Sequence, residues 1–365
     1  MTTALTAHPT SVPELLAASG DTARELAGAD RSAWNGHIIE SSSAMLGLAH
    51  WDGTLYLDRE SIVDPLRHLY EHAGTTRPTP TLVAYRESLA TLLHEHAHFL
   101  GPDGATQEAA REAFTKPGSR QLEEGVTEAW AQDHLDDFLR RLGIDKVAPG
   151  IDSVRSIGYY AAFVPAVRKI TTDLDARTAL SPGETLALLN RQTAAGQFPL
   201  LVDLVRKSRD LPDTDTRSRL EAILRSGLAH LDTYELNPPG VAGKHSLATA
   251  TQILIDLRRE THTTDSARHL DDCALPPPAP IRSAPSPHQS ALSGLAAPTL
   301  RYPAATHTSP IRPHHTHGQF AQHREAPGRR DTEGHGLRSV RRRGAAACRG
   351  GDGQGDPRGA AADRS

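Results

Sequence analysis

The chain has 365 residues, 38% hydrophobic and only 4% aromatic, with a formal net charge of −4. That charge is uneven: residues 275–365 hold 13 Arg against 6 Asp and Glu, a net +7, which leaves the first 274 residues at −11. An acidic folded part argues against a nucleic-acid-binding core. The two cysteines, Cys273 and Cys348, exclude a disulfide framework or a cysteine-rich zinc site in the core, and no apolar run approaches a membrane span.

Residues 1–33 are expected to be a helical lead-in. The N-terminal stretch has neither a basic n-region nor an apolar h-region, so a cytoplasmic location is expected. A second region, 34–150, opens with strand signals. His37–Glu40 suits a strand. Met45–Asp58 (MLGLAHWDGTLYLD) suits a hairpin turning at Asp52-Gly53, with Leu55 and Leu57 alternating with Tyr56 and Asp58. Asp64–Ala73 is expected to be a helix packed on that sheet.

Thr81–Leu100 (TLVAYRESLATLLHEHAHFL) carries Leu82, Tyr85, Leu89, Leu92 and Leu93 at helical spacing. Thr79-Pro80 provides a start and Gly101-Pro102 a stop. Within its last two turns lies His94-Glu95-His96-Ala97-His98, which contains H-E-x-x-H. On a helix His94 and His98 point from one face, roughly 40° apart, and can share one metal ion. Glu95 lies about 100° round from His94, too far to be a ligand beside the histidines but within reach of a water next to the metal. His96, about 200° from His94, is expected to be an exposed or core-facing residue. The competing reading is a solvated histidine cluster at a helix end.

A catalytic zinc takes three protein ligands and keeps one position open. The H-E-x-x-H-x-x-G-x-x-H scheme fails here, because Gly104 stands at the third ligand position and Asp103 falls one residue short. The next helix, Ser119–Leu142, has Leu122, Val126, Trp130, Leu135, Phe138 and Leu139 at helical spacing. It presents Glu124 as a third ligand and, one turn on, Glu128 as an acceptor for a ligand histidine's free ring nitrogen. Glu123 and Glu128 remain alternatives to Glu124, and an ordinary charged helix face is the competing reading of all three.

H-E-x-x-H followed by a glutamate on a later helix resembles the gluzincin metallopeptidases, over about residues 45–140. The resemblance implies zinc held by His94, His98 and Glu124, with Glu95 as general base and Glu128 as the acid behind a histidine. It also implies a small antiparallel sheet beside the active helix, with an edge strand that pairs with an extended peptide. Here 25 residues separate His98 from Glu124, and the acid four positions after the ligand is Glu.

A third region, 151–275, reads as helical over Tyr159–Leu174, Gly183–Arg191, Thr216–Leu231 and Ser246–Arg259, punctuated by Pro149-Gly150, Ser181-Pro182-Gly183 and Pro238-Pro239-Gly240. Tyr159, Tyr160 and His245 are its candidates for steadying an oxyanion. Residues 276–365, rich in Pro, Gly, Ala, Ser, His and Arg and including His314, His315 and His317, are expected to be a disordered tail.

The expected fold is α+β and mainly helical: a zincin-like sheet beside the active helix, a helical subdomain, then the tail. The expected function is zinc-dependent hydrolysis of a peptide or protein substrate. Two alternatives stand beside it. One is a non-catalytic helical interaction protein with a vestigial or structural metal, closed by a fourth ligand such as His134 or His50. The other is a metallohydrolase of a non-peptide substrate.

Overall fold

A computed structural model describes residues 8–42, 45–156, 158–208 and 215–272, with the backbone alone described at 215 and 263–272. The Pro/Arg-rich stretch 276–365, its histidines, Cys273 and Cys348 lie outside the described residues. The fold is mostly helical with small sheets. No helix among the described residues is long and apolar enough to cross a membrane.

The lead-in is helix α1 (Val12–Ala27). It is started by the Ser11 side chain, which accepts the Glu14 N–H, and stopped at Gly28 in the left-handed region (φ 60°). Strand β1 (Arg31–Ser32) follows, then β2 (Ile38–Ser41), β3 (Gly47–Ala49) and β4 (Leu55–Asp58). The hairpin forms where Asp52-Gly53 stands: His50 N–H donates to Thr54 O, and Gly53 takes φ 87°. The sheet order is β2-β4-β3, with β3–β4 antiparallel but β2–β4 parallel. The sheet is therefore mixed rather than wholly antiparallel: β3 folds back to the outer side of β4 and leaves the opposite side for β2. Buried Leu55 and Leu57 anchor the central strand.

Helix α2 (Asp64–Glu71) leads to α3 (Thr79–His98), which carries H-E-x-x-H. The five apolar positions picked out by spacing are all at most 5% exposed. Past α3, strand β5 (Leu100–Gly101) pairs antiparallel with β1 and ties the end of the active helix to the lead-in. Helix α4 (Gln107–Phe114) is short and was not legible from periodicity. Then comes α5 (Ser119–Arg141), whose turns from Gln121 to Ala131 are buried all round, so it runs through the middle of the molecule.

Short α6 (Ile144–Val147) precedes α7 (Val164–Thr178), α8 (Glu184–Asn190), α9 (Ala194–Lys207), α10 (Asp215–Ala229) and α11 (Pro239–Asp272). The helix expected from Tyr159 begins only at Val164: Gly158 and Tyr160 are both left-handed (φ 76° and 54°), and Pro165 suits a first turn. Helix α9 went unanticipated, and α11 is longer than the spacing indicated. One apolar core runs from Leu15 in α1 to Leu257 in α11.

His96 faces this core, on the side of α3 opposite the ligand pair. It is 1% exposed, stands edge-on to Trp34, and its Nε2 lies 2.7 Å from Ser19 Oγ. The Ser19 hydroxyl gives its one proton to Leu16 O at 2.8 Å, so His96 Nε2 is the donor. Burial holds its pKa down at about 3. Ser19→Ala strands that N–H in the core and should cost about 1–3 kcal/mol in urea unfolding. An unchanged midpoint would show the pair to be dispensable.

Candidate metal centre

Helices α3 and α5 meet face to face. His94 contacts Glu128 and Glu124, while His98, one turn on, contacts Glu124 and Glu123. The partners run backwards along α5 as the histidines run forwards along α3, so the helices are antiparallel here. The three inner atoms form a triangle. His94 Nε2 and His98 Nε2 are 3.2 Å apart, and Glu124 Oε2 lies 3.4 and 3.5 Å from them. A tetrahedral zinc with bonds of about 2.0–2.1 Å separates its donors by about 3.3–3.4 Å, so the triangle has the size of one face of that tetrahedron. Glu124 Oε2 is buried and faces the two ring nitrogens, as an atom directed at a shared cation would. Among the described residues, this His94–His98–Glu124 group is the one able to hold a metal ion.

Both histidines are oriented from behind. His94 Nδ1 lies 2.9 Å from Glu128 Oε2, and His98 Nδ1 lies 3.2 Å from Glu123 Oε1. Glu123, left open as a third ligand, thus stands behind His98 rather than inside the triangle. Glu128 is itself fixed by the Gln132 side chain and the Tyr159 N–H, each 2.8 Å from Oε1. The loop comes this close because residue 158 is glycine: a Cβ there would fall 2.6 Å from Glu128 Oε1.

Glu95 stands aside from the triangle. Its Oε2 accepts the Ala49 N–H of β3 at 2.8 Å, and its carboxylate fills the space that a side chain at Gly47 would need. Burial pushes the Glu95 carboxyl upward in pKa, and the neighbouring histidines only partly offset this. Burial also opposes charging His94, but contacts with the Glu124 and Glu128 carboxylates outweigh it and hold the ring at about 9. Glu124 is held well below the usual carboxylate range, burial being outweighed by the two histidines. The carboxylates around His94 and His98 favour positive charge between them, which a bound dication can supply.

Of the three candidates from the helical region, Tyr160 is at the site. Its ring stacks on His94 (5.6 Å, 14°), and burial beside the Glu124 carboxylate pushes its phenol well above the ordinary pKa. Tyr159 is 43% exposed and contributes its backbone N–H to Glu128. His245 is stacked on Tyr234, while His134 bonds to Trp130 O and His50 pairs with Asp52. None of these last three belongs to the ligand group.

Compared with protein-family models, curated proteins and solved structures, the chain matches none. What stands is the geometry: a buried His94–His98–Glu124 group that can hold a metal ion.

Proposed function

We propose that the protein is a zinc-dependent peptidase with a gluzincin-like centre. The observation carrying this reading is the donor triangle of His94, His98 and Glu124 with Glu95 beside it as an uncoordinated carboxylate. Bound zinc supplies a Lewis acid that acidifies water and polarises a carbonyl. Glu95 takes the proton from the attacking water as its oxygen bonds to the carbonyl carbon. It then returns that proton to the amine as the C–N bond breaks. Tyr160, kept neutral by burial, offers its hydroxyl to the developing oxyanion. Strand β3 lies at the sheet edge next to Glu95, where an extended peptide can add as a further strand.

Three ligands, with His50 and His134 engaged elsewhere, favour an open site over a closed structural one. The depth of the ligands, His98 being the most exposed at 9%, is what a structural ion would share. Metal analysis together with assay on a mixed peptide library separates the readings. One zinc with hydrolysis is expected. One zinc with no hydrolysis of any peptide would favour the structural reading, and hydrolysis of esters or other amides alone would favour a non-peptide substrate.

Gly47→Ala gives a second check. The new Cβ would sit 2.5–2.7 Å from the Glu95 side chain, which must swing away. Misplacing the base by about 1 Å should cost about 10²-fold in kcat. The zinc content should stay at wild type, since no ligand is touched. Unchanged kcat would argue against Glu95 as the base.

A further inference from the structure

Three rings lie nearly parallel between the metal ligand and the helical region. Tyr160 stacks on His94, and Phe163 stacks on Tyr160 (5.7 Å, 18°). The Arg120 guanidinium covers the Phe163 ring at 5.3 Å. Arg120 stands one turn before Glu124 on α5 and is held from the far side. Its Nη1 lies 3.0 Å from Glu235 Oε2 and 3.1 Å from Asp232 Oδ1, and its Nη2 reaches the other Glu235 oxygen. These two acids belong to the segment just before α11. Glycine at 125 lets the column sit close: a Cβ there would meet Val167 at 2.6 Å and Phe163 at 3.3 Å.

Tyr160 holds a left-handed backbone (φ 54°), which a tyrosine keeps only when its surroundings impose it. The Phe163 and Val164 N–H groups hold its carbonyl at 2.8 and 3.0 Å, and the column with its clamp holds its ring. We propose that Arg120, clamped by Glu235 and Asp232, is a positioning residue that fixes Tyr160 over His94, and so makes segment 232–235 part of the metal centre. The consequence for turnover rests on the peptidase reading; the positioning itself does not.

The test uses the full-length, metal-free protein with isotope-labelled histidine, in which the His94 ring protons report the stacked Tyr160 by an upfield ring-current shift. Tyr160→Leu sets the value for an uncovered ring. Arg120→Met and Glu235→Gln are expected to move the His94 signals most of the way to that value, with Arg120→Lys intermediate because it lacks the planar fork. In an active, zinc-loaded protein, Glu235→Gln should also lower kcat about 10-fold with little change in KM. His94 signals that stay at the wild-type position in Glu235→Gln, while Tyr160→Leu shifts them, would overturn the proposal. Glu235 is 25% exposed and makes its contacts at the surface of the segment, so this variant tests the idea even if Arg120→Met does not fold. Loss of the shift in the Arg120 and Glu235 variants, together with a wild-type protein that hydrolyses nothing, would leave the positioning role standing and remove only the peptidase reading.

Discussion

Glu95→Gln protein is expected to retain one zinc per chain and lose about 10²–10⁴-fold in peptide hydrolysis, the range of a general base. The amide has nearly the shape of the carboxylate, so its oxygen can still accept the Ala49 N–H and its bulk still fills the gap over Gly47. The ligand triangle does not include Glu95, so metal content has no reason to fall. What disappears is the proton acceptor, in a place where burial pushes the carboxyl upward in pKa. Elemental analysis beside steady-state kinetics reads both quantities. Turnover that survives the substitution would remove Glu95 from the mechanism, and a wild-type protein that binds no metal would remove the mechanism altogether.

The site was half legible in the sequence, and the division has a physical cause. Spacing of four on a helix places His94 and His98 on one face whatever the rest of the chain does, and it excludes His96, which indeed turns to Ser19 and Trp34. Spacing does not say how two helices meet. Glu123 and Glu124 lie about 100° apart on α5. Only the antiparallel crossing with α3 decides that Glu124 enters the triangle while Glu123 goes behind His98. The glycines carry the missing information. Gly47, Gly125 and Gly158 read as unremarkable along the chain, yet each marks a close approach: strand to Glu95, Phe163 to α5, and loop to Glu128. Tyr160 was within reach as a candidate, but its stacking on His94 follows from a left-handed turn that helical periodicity over 159–174 obscured. The parallel pairing of β2 with β4 was hidden for a similar reason: alternation assigns faces, not neighbours.

Glu124→Ala should abolish stoichiometric zinc binding, and with it the thermal protection that zinc confers. Zinc binds the folded triangle, so at about 1,000 times Kd it stabilises the wild type by about 4 kcal/mol. For a folded part of this size that corresponds to a rise in Tm of roughly 8–16 °C, reversed by a chelator. Glu124 supplies one of only three donors, its Oε2 facing both ligand histidines. The variant should therefore show little or no zinc-dependent shift. Glu123→Ala should behave differently, because Glu123 only orients His98 through Nδ1. Its zinc affinity should drop about 10–100-fold, as for other residues that orient a ligand from behind, while a shift persists at saturating zinc. The order of the two effects is decisive. If Glu123→Ala loses the shift entirely and Glu124→Ala keeps it, the two neighbours have been assigned the wrong way round, and the triangle closes on the other carboxylate.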